Sequence, residues 1–311
     1  MIVSEHTTSH SKYSTPNYDP APTFPVSGKV FTGWNMILQE LNNRIINCKN
    51  NRYILIVECY QGVYHDVIRS AFQHLNAATF IESDHAFYPE DKIREITFPD
   101  VTDDAVFGYM TSLTFHDLID PVKVDQLGSE INAATGLVVV YGHGASLLAD
   151  SYDCLVYADM ARWEIQQRQR NHEINNLGIR NSDEAPGIQY KRGFFVDWRI
   201  CDRLKQQLFE KADYWLDTNH QHSPKMMPAA EMLNGLDTIS QSPFRVVPYF
   251  DPGPWGGQWM KHVFGLDKSK PNYAWSFDGV PEENSLLLDV EGVTFEIPAI
   301  NLVFYKSTAL L

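Results

Sequence analysis

The chain has 311 residues, and at roughly 150 residues per domain this predicts about two folded units. Hydrophobic residues make up 44% and charged residues 21%, a balance that supports sizeable cores and excludes wholesale disorder. A formal net charge of -14 opposes binding to nucleic acid or an anionic membrane surface, so small molecules are the expected partners.

The first 20 residues are rich in Ser, Thr, Asn and Pro and read as a mobile arm. They lack a signal-peptide core, and no later stretch has the roughly 18 consecutive apolar residues of a membrane span, so a cytoplasmic location is expected. Cys48, Cys59, Cys154 and Cys201 form no CxxC pair and read as reduced thiols.

Trp34, Ile37, Leu38, Leu41 and Ile45 recur at helical spacing, and residues 53–57 then form an apolar run of buried-strand type. A turn at Gly62 leads to Val67, Ile68, Ala71, Phe72 and Leu75, again at helical spacing, and then to the short apolar segment 78–81. This is a β-α-β pattern. A helix is expected over 91–97 and a polar turn over 100–104. Further strands are expected over 136–141 and 154–157, and a helix from 160 to about 171. After the polar stretch 171–190, KRGFFVDWRICDRLKQQLFEKADYWLDT reads as strand or turn, helix, then a short strand.

The predicted fold class is α/β, a mostly parallel sheet with helices on both faces, followed by a short and incomplete β segment. The expected division is an arm over 1–20, an α/β domain over 21–218, a His-, Pro- and Asn-rich linker over 219–243 and a β region over 244–311. In the last, SLLLDVEGVTFEIPAINLVFY has strand-length apolar runs split by Asp-Val-Glu-Gly and Ile-Pro, and the sheet it begins looks cut short.

The strand-turn-helix around Gly62 has the layout of a phosphate-binding loop but lacks the Lys and Ser/Thr that reach the phosphates and Mg²⁺. Instead Glu58 and Asp66 flank the turn with negative charge. Arginine suits phosphate through its planar fork, and DMARWEIQQRQRN places Arg162, Arg168 and Arg170 on or beside one helix. With Gly62, Lys191 and Arg192 they form the candidate phosphate or nucleotide set; a solvated helix is the alternative reading of the arginines. His143 and Asp150 follow a strand, where open α/β sheets place ligands; a helix-capping or turn role is the alternative reading. His220 and His222 form an isolated H-x-H too sparse for a zinc site, so no metal ligands are assigned.

Taken together, GHGASLLADSYDCLVYADM and ARWEIQQRQRN resemble the closing portion of uridine-kinase-type P-loop kinases, over roughly residues 28–218. DPGPWGGQWMKHVFGLDKSKPNYAWSFDGVPEENSLLL resembles the opening of the isomerase part of class I mannose-6-phosphate isomerases, a zinc-dependent cupin family, some of whose members carry a degenerate kinase-like leader. The likeness rests on Pro254-Trp255-Gly256-Gly257, Lys261 and the run Pro281 to Ser285, and it implies a sugar-phosphate region at Trp255, Gly256, Gly257 and Lys261. It further implies aldose-ketose isomerisation with zinc in a complete family member. The family's Gln-x-His and later Glu and His are absent, so this chain is expected to hold no cofactor and to be inactive alone, with a missing cupin portion or a second copy as partner. An atypical nucleoside or sugar kinase and a non-catalytic ligand-binding module are the alternative readings.

Overall fold

The computed structural model describes residues 18–19, 21–242, 245–246, 265 and 282–305. Its strands are β1 (Tyr18–Asp19), β2 (Thr23–Pro25), β3 (Phe31–Thr32), β4 (Arg52–Cys59), β5 (Thr79–Glu82), β6 (Gly136–Gly142), β7 (Cys154–Asp159), β8 (Tyr214–Asp217), β9 (Lys225–Pro228), β10 (Arg245–Val246), β11 (Ser285–Val290) and β12 (Val293–Pro298). The helices are α1 (Gly33–Ile46), α2 (His65–Phe72), α3 (Glu90–Val101), α4 (Phe115–Leu118), α5 (Pro121–Ala133), α6 (Arg162–Arg170), α7 (Pro186–Arg192), α8 (Trp198–Leu208), α9 (Ala229–Ser240) and α10 (Ile300–Tyr305). No helix among the described residues is long and apolar enough to cross a membrane.

The protein is α/β. Seven strands form the main sheet in the order β3-β9-β8-β7-β4-β6-β5. The five from β8 to β5 are parallel, and β9 and β3 run antiparallel at one edge. Every residue of β7 and seven of the eight in β4 are buried. Successive strand residues point to opposite faces, so both faces of this sheet are covered, which is why these strands read as continuous apolar runs.

The chain begins the parallel part at the centre with β4, moves to the edge at β5 and returns through β6 between them. It then crosses to the far side of β4 for β7 and β8. The loops that leave β4 and β6 therefore part in opposite directions at the carboxyl ends of adjacent strands, where α/β sheets open a crevice.

Of the stretch 219–243, the described residues 219–242 are not a linker. Lys225–Pro228 pairs antiparallel with β8 and β3, and Ala229–Ser240 forms a helix that buries Met232, Leu236 and Ile239. The strand is only four residues long, and Pro228, which reads as a breaker, stands at the helix N-cap. The described part of the β region is not separate either: β11 pairs antiparallel with β12 and parallel with β2, so strands from residues 23–25 and 285–298 share one small sheet. Glu291 and Gly292 turn this hairpin, both at positive φ.

Two further expectations change. The run after Pro298, read as strand, is helix α10, since a short apolar run cannot by itself distinguish a strand from a buried helix. Residues 191–197, read as strand or turn, are helical: α7 continues through a π turn over Gly193–Asp197 into α8. The β-forming Phe194, Phe195 and Val196 are overridden there by packing.

Candidate functional site

At the carboxyl end of β4 the chain turns through Tyr60-Gln61-Gly62 into α2. Gly62 has φ +98°, and a Cβ there would stand 2.9 Å from Ile165 and 3.1 Å from Met160. Helix α6 thus closes over the turn. Arg168 completes the seal: its guanidinium donates to the carbonyl oxygens of Gly62 at 2.9 Å and Thr218 at 2.8 Å, and lies 3.9 Å from the Tyr64 ring centre. Between Trp34, Val63, Tyr64, Arg168 and Thr218 the remaining space is about 10 Å³. That is room for about one water, against the roughly 300–1,000 Å³ of a small-molecule pocket. Gly62→Ala is expected to destabilise the protein by about 1–3 kcal/mol, through left-handed strain and the clash with Ile165, measured by urea unfolding.

Arg162 is fully buried. It pairs with Asp202 and Glu282, approaches the Tyr60 hydroxyl at 3.5 Å, and lies 5.0 Å from the Trp198 ring centre. Tyr60 donates to Asp202 at 2.9 Å, and Arg199 pairs with Glu282 at 2.6 Å. Burial opposes charge on Glu282, yet Arg162 and Arg199 hold its carboxyl below the usual range. Burial likewise opposes charge on Arg162, but Asp202, Tyr60 and Glu282 raise its pKa well above the ordinary value. At Arg168 burial prevails over the opposing pull of Tyr64 and Glu164, and the pKa falls.

The other residues expected to hold phosphate are not gathered here. Arg170 stacks over Trp163 at 5.3 Å. Lys191 donates to the carbonyls of Thr102 and Asp104, and Arg192 donates to Thr97 Oγ1 at 2.9 Å beside Asp197, so both serve the end of α3 and the loop after it. Trp255, Gly256, Gly257 and Lys261 lie outside the described residues. Asp150 is exposed.

The loop after β6 has its backbone donors occupied by the protein's own acids. Gly144 and Ser146 donate their N–H groups to Glu58 at 2.7 and 2.8 Å, and the His143 N–H donates to Asp84 at 3.1 Å. Three N–H groups that would suit an external anion therefore hold carboxylates. Burial pushes Glu58 up to about 7, against the pull of these N–H bonds.

Around Asp84 the ends of three adjacent strands converge. His65 opens α2 after β4, Asp84 follows β5 and His143 follows β6. His143 Nδ1 lies 3.1 Å from both Asp84 oxygens, His65 Nδ1 lies 3.6 Å from Asp84 Oδ2 and Glu82 Oε1, and the two imidazole centres are 4.3 Å apart. Tyr141 donates to the second Glu82 oxygen at 3.1 Å. Burial disfavours the charged His65 ring, but Asp84, Cys59 and Glu82 carry its pKa well above the ordinary value. Asp84 is held well below the usual carboxylate range by His143 and His65, despite its burial. Gly142 allows the close approach: at φ +118°, its added Cβ would stand 2.5 Å from Ser83 Oγ and 3.1 Å from Asp84 Oδ1. Sequence reasoning singled out His143 and missed His65 and Asp84. Their shared signal was a His or Asp within a few residues of each parallel strand's carboxyl end.

No curated protein matches the chain. The family match runs from residue 33 to residue 241, from the start of α1 to the end of α9, and so takes in both the sealed turn and the Asp84 cluster. The chain belongs to the family described as Domain of unknown function (DUF8485).

Proposed function

We propose that the family domain is a kinase-type α/β scaffold that has given up phosphoryl transfer and uses its lid helix to hold the chain's own C-terminal β segment, within a mannose-6-phosphate-isomerase-like protein. The observation that carries this reading is the commitment of Arg162: a lid arginine suited to phosphate instead clasps Glu282, inside the run that bears the isomerase likeness.

Further contacts support it. The Trp163 N–H donates to the Glu283 carbonyl at 3.1 Å, and Tyr190 donates to the Glu283 carboxylate at 3.2 Å. Lys205, buried in α8, bonds Asp159 at 2.7 Å and Asn301 at 3.1 Å, tying α10 to the end of β7. The order of the parallel strands, with the first at the centre and its turn leading into α2, fits a kinase-type scaffold. The narrow space beside the Gly62 turn, about 10 Å³, and the commitment of Arg168 to the Gly62 and Thr218 carbonyls support the loss of phosphate binding.

The zinc chemistry of the isomerase family would need several converging His, Glu or Gln donors. His220 is exposed and reaches only Glu296, at 3.7 Å, and the H-x-H assembles no third donor among the described residues. These residues do not fit a catalytic zinc.

Titration calorimetry with ATP and Mg²⁺ tests the scaffold reading: no binding heat is expected up to millimolar nucleotide, and a micromolar Kd would overturn it. Mannose 6-phosphate is expected to give no turnover with the 311-residue chain, with or without added Zn²⁺.

A further inference from the structure

We propose that His65, Asp84 and His143 form a divalent transition-metal site at the carboxyl end of the parallel strands, with water completing the coordination. This goes beyond the scaffold reading and does not depend on it.

The first argument is geometric. One donor atom from each residue lies within 4.8 Å of the others. Metal–nitrogen and metal–oxygen bonds of about 2.0–2.2 Å place neighbouring ligand atoms about 3–3.5 Å apart. His143 Nδ1 and Asp84 already stand at 3.1 Å, and His65 Nδ1 and Asp84 at 3.6 Å. Closing the set takes a small turn of the His65 ring. Its three donors come from the ends of three neighbouring strands, which hold them more firmly than a surface loop would.

A second, independent observation concerns unspent hydrogen-bonding capacity. The Nε2 atoms of His65 and His143 are both buried without a hydrogen-bond partner among the described residues. Each ring thus faces Asp84 through one nitrogen and has its other nitrogen unsatisfied in the interior. Two such rings 4.3 Å apart, sharing one carboxylate, are an uncommon way to build a core. With no hydrogen bond on its Nε2 side, each ring is pinned only through the nitrogen that faces Asp84, and it can turn to bring that Nδ1 to an ion held between the two rings and the carboxylate.

The donor set defines the class of ion. Two imidazoles and a carboxylate favour a borderline first-row cation such as Zn²⁺, Co²⁺ or Fe²⁺ over Mg²⁺ or Ca²⁺, which seek oxygen ligands. Three protein ligands leave a coordination position for water, the pattern of reactive rather than purely structural sites. Glu82, 3.6 Å from the same His65 nitrogen, stands beside the coordination position left for water, where a carboxylate can accept a proton from it.

Co²⁺ is the probe. The metal-free 311-residue chain, titrated with Co²⁺ and followed by its visible absorption bands, is expected to bind one equivalent at micromolar concentration. Asp84→Asn and His143→Ala are each expected to weaken binding by about 100-fold or more, beyond the roughly 10–100-fold cost of losing a supporting group. His222→Ala should leave it unchanged. X-ray absorption of the zinc-loaded unsubstituted protein, which does not rely on any variant folding, is expected to show two imidazoles, oxygen ligands and no sulfur. No stoichiometric Co²⁺ binding, equal binding by the Asp84→Asn chain, or a sulfur-containing shell would overturn the proposal.

Discussion

Arg162→Met is expected to destabilise the protein by about 3–5 kcal/mol, the range for breaking a buried ion pair by removing one partner. The side chain is fully buried and joins elements far apart in the chain: Asp202 is 40 residues away and Glu282 is 120. Methionine matches much of its volume but leaves Asp202 charged, buried and served only by the Tyr60 hydroxyl and the more distant Arg199 at 3.9 Å. For a unit of this size the loss corresponds to a fall of about 10 °C in Tm, measured by calorimetry. The double change Arg162→Met with Asp202→Asn should recover part of that loss, because it removes the stranded charge. A double mutant no more stable than Arg162→Met would show that packing against Trp198, rather than the ion pair, sets the cost.

An arginine over a phosphate turn in an enzyme must be free to meet its ligand and let it go. Arg162 and Arg168 instead have partners supplied by the fold itself, one set of carboxylates and one set of carbonyls. The backbone donors after β6 are likewise committed, to Glu58 and Asp84. On the kinase-type reading proposed above, the groups that would meet a phosphate are held by the fold's own acceptors, which, beyond the absent lysine, distinguishes the Gly62 turn from a working phosphate loop.

The central strands were legible because their burial is nearly complete: the apolar runs at 53–57, 136–141 and 154–157 fall within β4, β6 and β7. The edge was not. In β9, Met226 and Met227 are both buried, but a strand of four residues ending in Pro228 carries too little pattern to outweigh its His- and Asn-rich approach. The arginines of α6 were legible as chemically notable, yet their partners were not, since spacing within a helix says nothing about a carboxylate 120 residues away. The same limit hid the Asp84 cluster. Only the spatial order β4-β6-β5 makes neighbours of His65 and His143, which are separated in sequence by two strands, two short helical turns and three helices. A rule about strand ends finds His143 alone; the set requires the topology.

The Glu58 carboxyl is expected to make the protein more stable near pH 5 than near pH 8. Burial raises its pKa from the ordinary 4.5 to about 7, so the folded chain holds a proton that the unfolded chain has released between those values. Stability must then fall as pH rises through this window, by about 3 kcal/mol from this one group. Buried Asp197 and Asp217 are also raised, chiefly by desolvation, and push in the same direction. Glu282, held low by its arginines, acts oppositely, and its stabilisation is lost only on acidification. Urea unfolding from pH 4.5 to pH 8, with a chelator present throughout, measures the slope. Glu58→Gln keeps one carbonyl oxygen for the Gly144 or Ser146 N–H but cannot titrate, so it should flatten the limb between about 4.5 and 7 whatever it does to stability overall. An unchanged slope in that variant would assign the pH dependence to the other buried acids and to His65, whose raised pKa acts in the same direction. It would also mean that the N–H groups of the β6 loop hold Glu58 ionised more strongly than its burial opposes.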